Sequence, residues 1–139
     1  NFNFNFSSII NFHDRLNKYV LLKDDMFLNE EYKDLVINSK NLVSNYNCIQ
    51  LYTNDAALLY LLRKKNCTKY YFLWSVGSKA NQQNMIAEMK DTKLIISNGK
   101  TDNWDLPLKK KLYLVNDYIE ANFSEVSHER KNFIILRRN

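Results

Sequence analysis

From Cys48 onward, short apolar runs alternate with amphipathic stretches. "CIQLYT" (48–53), "KYYFLWS" (69–75), "KLIIS" (93–97) and "NFIILRR" (132–138) read as strands. Between them lie segments of helical spacing. "NDAALLYLLRKK" (54–65) is one, and "SKANQQNMIAEMKD" (78–91), with Gln82, Met85, Ile86 and Met89 on its apolar face, is another. The third is "LPLKKKLYLVNDYIEANF" (106–123), with Leu108, Leu112, Val115, Ile119 and Phe123 facing inward and Pro107 in its first turn. Upstream, "NEEYKDLVINSKNLVSNYN" is an amphipathic helix. Asn29 can cap it, Glu30 and Glu31 complement its dipole, and Tyr32, Leu35, Val36, Ser39, Leu42, Val43 and Tyr46 form its apolar stripe.

A strand–helix rhythm of this kind predicts an α/β domain, small, three-layered and Rossmann-like. Its mostly parallel sheet of about four strands is flanked by helices and preceded by the N-terminal amphipathic helix. The domain is expected over residues 29–139. Residues 1–28 are expected to be an extended arm, edge strand or linker. They open with "NFNFNF", whose alternation puts Phe2, Phe4 and Phe6 on one face, and residues 13–28 suit either helix or strand.

The two cysteines of the chain, Cys48 and Cys67, stand at the start of the first strand and just before the second. Strands that are parallel neighbours begin side by side about 4.8 Å apart, and disulfides want Cα atoms roughly 4.4–6.8 Å apart. Geometry therefore favours a disulfide over two buried thiols, and a disulfide implies an oxidising compartment. His13 and His128 show no ligand spacing to the cysteines, so no metal site is expected.

Composition adds limits rather than an activity. In 139 residues there are two glycines and one proline, against 45% apolar residues, which excludes a turn-rich or linker-like chain. The net charge is +5, but the basic clusters are dispersed among acids, and the first, Arg63-Lys64-Lys65, falls where a helix should end. No apolar run reaches the ~18 residues a bilayer span needs, and no secretory signal pattern is visible. The chain begins with Asn rather than Met and is expected to be a piece of a longer protein.

Open parallel sheets bind ligands outside the carboxyl ends of their strands. Three polar loops are expected there: Thr53-Asn54-Asp55, Ser75 to Lys79, and Ser97 to Trp104, with both glycines, Gly77 and Gly99, among them. The candidate ligand-binding residues are Asn54, Asp55, Trp74, Ser78, Asp102, Asn103 and Trp104. Ordinary capping and turn chemistry explains the same residue types. No dinucleotide, P-loop or nucleophile-elbow motif is present, and no cofactor or catalytic residue is expected.

The stretch "CIQLYTNDAALLYLLRKKNCTKYYFLWSVGSKANQ", with "LIISNG" and "YIEANF" after it, resembles the C-terminal soluble domain of uncharacterised multi-spanning membrane proteins. Those look like relatives of the dolichyl-phosphate-mannose-type glycosyltransferases that use lipid-linked sugars. The likeness covers roughly residues 29–139 and is carried chiefly by Cys48, Thr53-Asn54-Asp55, Tyr60-Leu61-Leu62, Cys67 to Phe72 and Gln82. It departs after Leu62, where Arg63-Lys64-Lys65 replaces a proline-containing helix end. The resemblance implies an extracytoplasmic (periplasmic) appendage tethered to a membrane by an upstream segment, with any catalytic carboxylate elsewhere in the parent chain. The expected function is a non-catalytic accessory domain that binds a glycan or a lipid-linked sugar acceptor. The alternatives are a stand-alone small α/β enzyme or binding protein, with Asp55 or Asp102 as general base, and, more weakly, a nucleic-acid-binding module.

Overall fold

A computed structural model describes residues 28–98, 108–129 and 133–139. The expected N-terminal arm, the Phe-rich start, His13, Gly99 and Asp102 to Pro107 lie outside the described residues, as does the side chain of Leu108. The chain divides into two compact units, Asn1–Lys33 and Asp34–Asn139. The sheet and its core belong to the second.

The elements run α1 (Glu30–Ser44), β1 (Cys48–Tyr52), α2 (Ala57–Leu61), β2 (Lys65–Asn66), a 3₁₀ turn (Leu73–Val76), α3 (Lys79–Glu88), a second 3₁₀ turn (Met89–Asp91), β3 (Leu94–Asn98), α4 (Leu108–Lys111), α5 (Tyr113–Asn122), β4 (Phe123–Glu129) and β5 (Phe133–Arg138). The α/β expectation holds, with a different sheet. Among the described residues the sheet has five strands, in the order β2-β1-β3-β5-β4. β1 is parallel to β2 and β3, whereas β5 is antiparallel to β3 and β4. The sheet is thus mixed.

The segment Phe123–Glu129, "FSEVSHE", carries few apolar residues because it is an edge strand, and alternation is weak in a strand with little to bury. A register shift between Glu125 and Ser127 interrupts that edge, a device that discourages pairing with other chains. α5 gives way to β4 without a loop. Asn122 Nδ2 donates to the Tyr118 carbonyl at 2.8 Å, satisfying a helix-end acceptor, and Phe123 is already extended.

The second strand is also displaced. "KYYFLWS" is not in the sheet; the two-residue β2 pairs Cys48 with Lys65 and Ile49 with Asn66. The cause begins in α2, which stops at Leu61. Arg63 sits in the left-handed region at φ 51°, its N–H bonds the Tyr60 carbonyl, and the Lys64 N–H bonds the Leu59 carbonyl. Those two bonds make a Schellman turn, in which Arg63 takes the place usually held by glycine. Lys64 then reaches 2.6 Å to the Tyr46 carbonyl just beyond α1, a favourable place for a cation.

Cys48 and Cys67 form a disulfide with Cα atoms 5.0 Å apart. The expected disulfide is present, but the expected parallel neighbour, 69–75, is not: Lys65–Asn66 takes its place beside β1, and Cys67 follows this short strand instead of preceding a long one. Beyond it the ladder is continued by a side chain: Asn66 Oδ1 accepts the Leu51 N–H at 3.0 Å. Asn66 and Thr68 then donate to the Oε1 of Gln50, which is fully buried, and Gln50 Nε2 donates to the Leu51 and Tyr70 carbonyls. A satisfied polar network therefore turns the chain out of the sheet at Thr68.

One face of the sheet, with Tyr52, Ile95 and Leu136, packs with Leu73, Val76, Met85, Met89, Leu112, Val115, Ile119 and Phe123. On the opposite face Ile49, Leu51, Leu94, Ile96, Phe133 and Ile135 are buried as well, and so are Leu35, Val43 and Leu58 from α1 and α2. Both faces are covered, as apolar residues at successive positions of β1 and β3 require.

Two polar side chains lock the first layer. Gln82, fully buried on α3, donates to the Gly77 and Lys111 carbonyls and accepts the Leu114 N–H at 3.0 Å, which joins α3 to the α4–α5 junction. Arg138 donates to the Thr92 and Met89 carbonyls and to the Tyr118 hydroxyl while its guanidinium lies 4.8 Å from the Phe123 ring centre.

Candidate functional site

The chain leaves β1 toward β2 on one side and returns through β3 on the other. The crevice between the carboxyl ends of β1 and β3 is therefore the point where strand order reverses, the usual ligand position in open α/β sheets. Tyr52, the last residue of β1, pairs with Ser97 of β3 there.

A cleft of about 210 Å³ opens at this edge and runs over the β5–β4 hairpin beside α5. Its floor and one wall are apolar: Ile119, Phe123, Ile134 and Leu136. Tyr52, Ser97, Asn98, Asn116, Glu120, Glu125 and Lys109 add polar groups. Helical spacing puts Asn116 and Glu120 one turn apart on α5, while strand pairing sets Ser97 opposite Ile134.

Tyr52 is 4% exposed, and its hydroxyl has no hydrogen-bond partner among the described residues. Burial, followed by the nearby Glu120 and Asp117 carboxylates, raises its pKa well above the ordinary phenol value. The group stays protonated and can donate. A buried hydroxyl without a partner costs free energy.

Glu120 is the complementary acceptor. The Asn116 amide donates to it at 2.9 Å and Lys109 lies 3.4 Å away, and these two hold its carboxyl below the ordinary glutamate range. The cleft therefore offers an ionised carboxylate and amide groups beside an apolar wall, with Tyr52 in its lining and the Tyr52 hydroxyl buried behind it. Among the described residues, no group of three or more His, Cys, Asp or Glu side chains is placed to hold a metal ion.

Four of the sequence-derived candidates, Asn54, Asp55, Trp74 and Ser78, stand outside this cleft. Thr53 Oγ1 accepts the Asp55 N–H, and the Asp55 carbonyl accepts the Leu58 N–H, so Asn54 and Asp55 shape the turn into α2. Ser78 caps α3 by accepting the Asn81 N–H at 3.2 Å. Trp74 lies on the first 3₁₀ turn, 40% exposed, with the Lys111 ammonium 3.5 Å above its ring. None of these four lines the cleft. Asp102, Asn103 and Trp104 lie outside the described residues, and the chain toward them leaves β3 at Asn98, a lining residue.

The edge of the sheet is legible in the β–α rhythm, and Tyr52 and Ser97 lie at the carboxyl ends of two of the strands read there, 48–53 and 93–97. The α5 wall lies on the helix read over 106–123, but the β4 side of the cleft was not legible, because it depends on a strand the pattern did not show. Comparison of the chain with known protein families, with curated proteins and with solved structures finds no match.

Proposed function

We propose that this chain is a non-catalytic, extracytoplasmic binding domain whose cleft takes one unit of a hydroxyl-rich ligand such as a glycan. It serves as an accessory to a membrane-bound, glycosyltransferase-like protein. The observation that carries the reading is the buried Tyr52 hydroxyl without a partner among the described residues, set in a cleft beside the Glu120 carboxylate. Sugar hydroxyls both donate and accept, and their C–H faces suit apolar and aromatic walls. The volume, about 210 Å³, is below the roughly 300–1,000 Å³ of drug-sized sites, which favours a single ring over an oligosaccharide.

Recognition is favoured over proton transfer. Tyr52 is held protonated and Glu120 ionised, so neither is tuned toward neutrality as an acid or base at work would be. The disulfide supports an oxidising address. Among the described residues no helix is long and apolar enough to cross a membrane; in this reading the tether is an upstream segment of the parent chain. The resemblance to the membrane-protein appendages supports the setting, and the parallel half of the sheet, β2-β1-β3, supports the Rossmann-like comparison. A nucleic-acid platform is less favoured, because the inner strands are buried on both faces.

Amide-resolved NMR titration with mannose, glucose, galactose and N-acetylglucosamine tests the reading. At least one sugar is expected to shift the Tyr52, Ser97, Asn98 and Asn116 amides, with affinity falling about tenfold in Tyr52→Phe. If none of the four moves these amides at tens of millimolar, the glycan reading is lost.

A further inference from the structure

The segment "KYYFLWS" has the composition of a buried strand, yet the fold sets it outside the sheet. Leu73 and Val76 of the 3₁₀ turn are fully buried and anchor it, while Tyr71, Phe72 and Trp74 remain 54%, 51% and 40% exposed. The Gln50–Asn66–Thr68 network and the disulfide hold it there. Local sequence preference and fold disagree at this point, and such disagreements concentrate where function is served.

The neighbouring charge identifies the kind of partner. Lys111 stacks its ammonium 3.5 Å over the Trp74 ring, and its aliphatic stem passes beside Gly77, whose Cβ, if present, would stand 3.4 Å from Lys111 Cε. Lys109 and Lys110 precede it and are exposed, and Tyr113, 48% exposed, follows. Phe72, Trp74 and Tyr71, joined through the Lys111–Trp74 contact to Lys111 and its exposed neighbour Lys110, thus make an aromatic turn edged with cations. Trp and Tyr prefer the headgroup level of a bilayer, where an apolar ring and a polar tip are both satisfied, and lysines beside them meet anionic headgroups.

We infer that the Tyr71–Trp74 turn and the α4 lysines form a peripheral contact surface for an anionic lipid bilayer. Phe72 enters the interface, the Trp74 and Tyr71 rings lie at headgroup depth, and Lys110 and Lys111 pair with lipid phosphates. Lys109 lines the Tyr52 cleft beside Glu120 and marks the border between the two; the contact surface proper is the aromatic turn with Lys110 and Lys111, and this inference does not rest on the glycan reading.

Sedimentation of the full 139-residue chain with large vesicles tests it. Phosphatidylglycerol-containing vesicles are expected to pull the protein down, pure phosphatidylcholine vesicles to do so far less, and salt to weaken the binding. Phe72→Ser should lower the partition coefficient about fivefold, since half of the ring is already buried in the free protein. Lys110→Glu should lower it by about tenfold, chiefly on the anionic vesicles. Both sites are exposed, and unchanged thermal midpoints show that the variants are folded; should Phe72→Ser unfold, Tyr71→Ser replaces it. Absence of binding to the anionic vesicles overturns the inference, as does binding that these folded variants leave unchanged. Sugar titration of Phe72→Ser keeps the two proposals distinguishable: it should leave the cleft's response intact.

Discussion

Reducing the Cys48–Cys67 bond removes a covalent clip from the edge of the sheet, and its cost can be worked from the chain. The two residues are 19 apart in sequence. In the chain-entropy model, closing a loop of that length restricts the unfolded ensemble by about 3 kcal/mol. The native geometry is compatible with the link, since 5.0 Å between Cα atoms is in the ordinary disulfide range. The non-covalent support nearby is thin: β2 contributes two residue pairs, supplemented by the Cys67 N–H to Ile49 carbonyl bond and the Asn66 side chain on Leu51. Cys48→Ser/Cys67→Ser should therefore unfold in urea with a free energy about 3 kcal/mol below the oxidised protein, and melt roughly 10 °C lower for a domain of this size. Native-state hydrogen exchange should show the Cys67 and Leu51 amides losing protection before those of β3. A thiol count in denaturant supplies the control: no free thiol without reductant, two with it. A double variant within about 0.5 kcal/mol of the oxidised protein would refute the reasoning, because the loop would then be ordered without its bridge.

Other consequences are local. Gln82→Ala removes a fully buried side chain and its part-buried bonds to the Gly77 and Lys111 carbonyls and the Leu114 N–H, so urea unfolding should register a loss of about 2 kcal/mol. Gln82→Glu at the same site should hurt more at neutral pH than at low pH, because burial raises the carboxyl's folded pKa and only the protonated form can donate to those carbonyls; a pH-independent loss would contradict the assigned bonds. Arg63→Gly should stabilise by about 1 kcal/mol in the same assay, since a left-handed backbone penalises any side chain bearing Cβ; destabilisation would mean that the guanidinium holds the turn. Tyr52→Phe should be no less stable than the parent, and up to about 1 kcal/mol more so by thermal or urea unfolding, because it removes a buried hydroxyl that folding leaves without a bond among the described residues. A loss above 1 kcal/mol would show that the hydroxyl serves the fold instead of a ligand.

The sequence by itself determined the elements whose periodicity follows from burial. α1, α3 and α5 present apolar residues at helical spacing, and β1, β3 and β5 are continuous apolar runs because the inner strands of a covered sheet have no solvated face. It also determined that Cys48 and Cys67 could meet, since strand spacing and parallel neighbourhood place their Cα atoms within reach. Tertiary structure alone decided the rest. Aromatic content made "KYYFLWS" look like a strand, but the Asn66, Thr68 and Gln50 side chains, remote or non-periodic in sequence, take over the ladder and release that segment to the surface. "FSEVSHE" became a strand because β5 offered it an edge, not because its own pattern asked for one. The cleft follows from that pairing. Tyr52, Glu120 and the Ile134–Leu136 pair come from three distant points in the chain, and only the antiparallel return of β4 and β5 beside β3 closes a wall opposite α5. Burial of a face leaves a period in the sequence; a gap left between elements does not, since it is defined by where non-local partners stop.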